Sequence, residues 1–155
     1  MLLAILFIQE QALVLIPQFQ FTTVLIIVYA AIFPYKILLP MIIAYTILDN
    51  LYMGSLSYIY FPPMLLAWLS LAICARALRN KPFYVQIILV TVFGFVYGWF
   101  FIPARFLEQG AFDVWLYLKL DLPFEIMMSF SNFVTTMALY QPLKTSLETL
   151  MKHYK

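Results

Sequence analysis

The chain has 155 residues, of which 65% are hydrophobic and 10% charged, with a formal net charge of +2 and a mean hydropathy of +0.95. Water-soluble domains are about 45–50% apolar and about 25% charged, so an ordinary domain of that kind is excluded on composition. At roughly 20 residues per helical crossing, the length predicts an all-α, polytopic membrane protein with about five or six crossings and no sizeable extramembrane domain.

The first predicted segment runs from Leu2 to Ile16 and stops at Pro17, with Gln18 and Gln20 in a short polar corner. No basic stretch precedes it and no small-residue cleavage pattern follows Glu10, so a cleaved signal peptide is not expected. A second segment spans Phe21 to Phe33, and Pro34 separates it from a third, Ile37 to Asn50; the alternative is one long helix kinked at Pro34. Residues Leu51 to Pro63 form a loop rich in turn formers and aromatic rings. A fourth segment, Met64 to Leu78, ends in the basic run Arg76, Arg79, Lys81. The fifth covers Tyr84 to Ile102. Between Ala104 and Asp121 lies a polar excursion, in which Phe112, Trp115, Leu116, Tyr117 and Leu120 are spaced like a short amphipathic helix. The sixth segment runs from Leu122 to Tyr140.

With six crossings, one side receives Lys36, Arg76, Arg79, Lys81, Lys144, Lys152 and Lys155, while the other receives Arg105 and Lys119. The positive-inside bias then places both termini of this multi-pass protein in the cytoplasm. One domain covering residues 1–155 is the simplest division.

Polar side chains inside apolar segments point to a binding site, because lipid does not solvate them. Glu10 lies in the first segment, Asp49 at the end of the third, Glu125 near the start of the sixth and Asn132 within it. Glu125 and Asn132 are seven residues apart, with Ser129 between them, so all three share one helical face. Interhelical hydrogen bonding is the alternative role for this stripe. Glu10 can also pair with Arg105. Trp68 and Trp99 are candidates for stacking on a flat ligand, and Arg105 and Glu108, between Gly98 and Gly110, for a polar lid. Cys74 is alone and forms no intramolecular disulfide.

The chain shows no phosphate-binding glycine loop, zinc-protease motif, paired cysteines or serine-hydrolase elbow. The expectation is a binding or transport module: not an enzyme, without a cofactor, metal site or nucleic-acid partner.

Three steps carry a family resemblance: Leu122-Pro123-Phe124-Glu125, Ser131-Asn132 and Pro142-Leu143, within the tract from Ala111 to Leu150. With the stretches beginning at Ile16 and Leu48, they resemble the substrate-binding subunits, or S components, of energy-coupling factor (ECF) vitamin transporters. The resemblance implies a compact bundle of six transmembrane helices with both termini cytoplasmic, multi-pass in a bacterial plasma membrane. It implies capture of a small vitamin-like ligand, toppling of the subunit within the lipid bilayer, and partnership with a membrane coupling protein and two ATPase subunits. Asn132 and Glu125 would hold the ligand, with Gln18 and Gln20 in the closing loop. The family's helix-1 docking pattern is broken here, where Ala4 is followed by Ile8. The rival reading is a structural membrane subunit resembling the rod-shape-determining type.

Overall fold

The computed structural model describes residues 1–12, 21–54 and 57–153. Seven α-helices follow one another among them: α1 (Leu2–Ala12), α2 (Thr22–Ile32), α3 (Tyr35–Tyr52), α4 (Phe61–Ala77), α5 (Phe83–Val96), α6 (Ile102–Gln109) and α7 (Val114–His153), with a 3-10 turn, Gly98–Phe101, between α5 and α6.

Helix α2 is the core. Its residues from Thr22 to Ala30 are all buried, as expected for a helix that is apolar on every side. It packs against α1, α3, α4, α5 and α7. Each of Val24, Leu25, Ile26, Ile27 and Val28 removed from water contributes about 1.5–3 kcal/mol. Both its ends are finished by side chains from other helices. At the start, Gln9 of α1 accepts from the Phe21 N–H (2.9 Å) and donates to Thr22 Oγ1 (2.7 Å). At the end, Arg76 of α4 donates to the carbonyls of Ala30 (3.0 Å) and Ala31 (3.2 Å), a cation placed where the helix dipole favours one.

The neighbouring helices turn one stripe inward. On α3 the buried residues are Leu38, Ile42, Tyr45, Thr46, Asp49 and Asn50, on α4 Pro63, Ala67, Trp68, Leu71, Ala72 and Ala75, both at helical spacing. Pro34 does separate two helices, α2 and α3. Outward faces are apolar as well: Ile88, Val92 and Phe95 on α5 and Phe124, Phe130 and Met137 on α7 are exposed, the kind of surface that marks contact with another surface.

Several sequence expectations are corrected. The bundle of six transmembrane helices is not what forms. Among the described residues only Phe83–Gln109 is long and apolar enough to cross a membrane. Helices α1 and α2 have 11 residues each, a rise of about 16 Å against a hydrocarbon core of about 30 Å; α4 is also apolar but short. The S-component resemblance falls with that bundle, since its fold is the six crossings. So do the cytoplasmic placing of both termini, the multi-pass plasma-membrane location, the lipid bilayer and ECF coupling proteins as partners, the toppling importer, and the structural membrane subunit that was its rival.

Helix boundaries at the last two prolines are also corrected. Pro123 and Pro142 lie inside the 40-residue α7, where a break was expected. Both rings are exposed, so the carbonyls they free lie on the outer side of the helix. The polar excursion becomes α6, a turn at Gly110 (φ 71°) and the first turns of α7, where Trp115, Leu116, Tyr117 and Leu120 reside.

Candidate functional site

Helices α5 and α7 make the most extensive helix–helix packing in the fold, and two glycines one turn apart, Gly94 on α5 and Gly98 at the start of the 3-10 turn that follows it, set its character. At Gly94 the backbones nearly touch: a Cβ there would lie 2.5 Å from Ser129 Cα. Ser129 Oγ donates to the Thr91 carbonyl (2.8 Å), and Asn132 Nδ2 to the Val90 carbonyl (3.1 Å). One turn on, at Gly98, the helices part around carboxylates. A Cβ at Gly98 would lie 2.0 Å from Asp121 Oδ2 and 2.9 Å from Glu125 Oε1. These two acids are a turn apart on α7 and share a face because the helix runs through Pro123.

They line a half-open cavity of about 150 Å³ together with Tyr97, Phe101 and Tyr117. Tyr117 donates to the Gly98 carbonyl (3.1 Å). Glu125 is 5% exposed, and its Oε1 has no hydrogen-bond partner among the described residues. Burial raises the Glu125 carboxyl, Asp121 raises it further, and the Trp99 indole lowers it in part. Asp121 is likewise raised by burial, against the opposing pull of Tyr117 and Arg105. Arg105 lies against Tyr117, which lines the cavity. Its guanidinium sits 5.8 Å from the ring centroids of both Tyr60 and Tyr117 and 3.5 Å from Glu108, so it pairs with Glu108 and not with Glu10.

A second acidic pair joins α1 to α3. Tyr45 donates to Glu10. Asp49, one turn along α3, is 1% exposed and neither of its oxygens finds a hydrogen-bond partner among the described residues. Burial and the nearby Asp49 push the Glu10 carboxyl up to about 7, and burial raises Asp49. Between this pair and the cavity stands an aromatic layer. Trp68 packs on Tyr45 (6.2 Å), Phe93 (5.5 Å) and Tyr97 (5.3 Å). Its indole N–H has no hydrogen-bond partner among the described residues.

Of the residues singled out from sequence, the fold brings Glu10, Asp49 and Trp68 to one side of Tyr97, and Glu125 with Trp99 to the other. Trp99 is half exposed. Asn132 lies away from the cavity lining, in the α5–α7 contact, with its Oδ1 unpartnered. Ala4 and Ile8 are exposed on α1. Gln18 and Gln20 fall outside the described residues. Sequence reasoning passed over Asp121, Tyr97 and Tyr45, and read Tyr117 only as part of a short amphipathic helix. The four-residue spacing from Asp121 to Glu125 was the available signal, hidden by the expectation of a helix start at Leu122.

The four carboxylates and the aromatic layer suit a cation, which acidic side chains and ring faces both attract. Among the described residues there is no group of three or more His, Cys, Asp or Glu that could hold a metal ion. No protein family, curated protein or solved structure matches this chain.

Proposed function

We propose that the protein is a binding module, not an enzyme, for a small organic cation, held in the cavity between α5 and α7. The observation that carries this reading is Glu125: a carboxylate 5% exposed, facing a cavity of about 150 Å³ beside a second carboxylate, with an oxygen that no described residue satisfies. A buried carboxylate oxygen without a partner costs free energy until a donor reaches it. An ammonium supplies that donor and the opposite charge together. Tyr97, Phe101 and Tyr117 then offer ring faces to the carbon frame. The volume is that of a benzene-sized molecule, which limits what enters the cavity itself to a single ring or a short chain.

Calorimetric titration with benzylamine and with benzyl alcohol tests the reading, since the two differ chiefly in charge. The amine is expected to bind at least about tenfold more tightly, and Glu125→Gln to erase the difference. Equal affinity for amine and alcohol in the unaltered protein removes the cation reading. Because the acids are raised, amine binding strengthens as pH rises and they ionise.

A further inference from the structure

Beside the α5–α7 cavity lies a larger, open-sided one of about 300 Å³, bordered by α6 and the start of α7. The chain reverses at Gly110 (φ 71°), so that one face of each helix borders the space. From α6 come Arg105 and Gln109, one turn apart; from α7 and the residue before it come Asp113, Leu116, Tyr117 and Leu120, at helical spacing. Phe112 completes the wall, packed between Phe106 (4.8 Å) and Tyr117 (5.8 Å). Leu116 and Leu120 are more than half exposed. The lining shares only Tyr117 with that of the α5–α7 cavity.

Two opposite charges border this apolar surface, and each has capacity left. A guanidinium carries five N–H donors, and Glu108, which does not line the cavity, meets one Arg105 nitrogen at 3.5 Å. The rings of Tyr60 and Tyr117 hold the guanidinium in place. Asp113 caps α7 with Oδ1 alone, which accepts from the N–H of Trp115 (2.9 Å) and of Leu116 (3.1 Å), and Oδ2 is left for another donor. Although Arg105 and Asp113 line the same cavity, they form no ion pair with each other among the described residues. We propose that this cavity is a second site, for an α-amino acid with an apolar side chain. Its carboxylate meets Arg105 and Gln109, its ammonium meets Asp113 Oδ2, and its side chain covers Phe112, Leu116 and Leu120. A simple acid or a simple amine answers one charge; an amino acid answers both and removes the exposed leucines from water.

Calorimetry on the full chain compares L-leucine with three probes that each lack one part: 4-methylpentanoate without the ammonium, L-leucinamide without the carboxylate, and glycine without the apolar side chain. Leucine is expected to bind at least about tenfold more tightly than each of them. Arg105→Gln should lower leucine affinity about tenfold. Asp113→Asn, which keeps a capping oxygen on α7, should bring leucine down to the level of 4-methylpentanoate. Absence of leucine binding, or equal affinity for any of the three probes, overturns the amino-acid site. Leucine binding that survives Arg105→Gln and disappears in Glu125→Gln overturns it as well, because the ammonium is then held in the α5–α7 cavity.

Discussion

One turn of helix separates two regions of the α5–α7 interface that treat polar atoms in opposite ways. Around Gly94 the backbones are close enough that Ser129 and Asn132 reach the carbonyls of Thr91 and Val90 directly. Around Gly98, where α5 has given way to the 3-10 turn, Asp121 and Glu125 of α7 face a cavity. A polar stripe that looks uniform along α7 thus divides into atoms used to join helices and atoms left available. Glycine permits both outcomes by removing a side chain, but what fills the space is backbone in one case and carboxylate in the other.

The sharpest way to break this contrast is to add one methyl group at each glycine. Gly94→Ala places a carbon against Ser129 backbone, which has nowhere to retreat, and should cost about 3 kcal/mol in denaturant unfolding. Gly98→Ala meets only carboxylate tips, which can rotate. Its stability should change by no more than about 1 kcal/mol, while benzylamine affinity falls about tenfold because the acids no longer hold their positions. Equal stability losses would dissolve the distinction.

The acidic end should also show itself in pH. Glu10 is raised from 4.5 to about 7, so between those values the folded chain keeps a proton that the unfolded chain has released. Stability therefore falls as pH rises through that window, by about 2–3 kcal/mol in all. Glu10→Gln, which can still accept from Tyr45, should flatten the profile and be the more stable form above pH 7. A wild-type unfolding curve independent of pH from 5 to 8 would contradict the burial of this acid.

Smaller effects sharpen the other region. Asn132→Ala and Ser129→Ala each remove one interhelical hydrogen bond and should each cost about 1 kcal/mol, both read by thermal unfolding. Neither residue lines the cavity, so amine affinity measured on the folded variants should hold within about twofold.

How much of this was legible beforehand differs from helix to helix. The inward faces of α3 and α4 follow helical periodicity, and Asp49 stands on the same stripe as Leu38, Ile42 and Tyr45; that alone brings a carboxylate into the core. Pro34 marked a true boundary. Pro123 and Pro142 did not, because the local cost of a proline is outweighed where the rest of the helix is packed, and α7 packs on α5 and α2. The misplaced start at Leu122 hid Asp121 and Tyr117, and with them half of the candidate site. High hydropathy was read as six crossings, whereas it is spread over helices several of which are too short to cross.

Sequence by itself determined the helical class, the apolar character of α2 and the presence of acids within apolar segments, since composition and spacing are local properties. Tertiary structure decided which partner meets each of those groups. It seated Arg76 on the end of α2, gave Asn132 to a backbone carbonyl and set Glu10 beside Asp49. It also left one Glu125 oxygen without a partner among the described residues at the cavity, because pairing between residues distant in the chain depends on how helices cross.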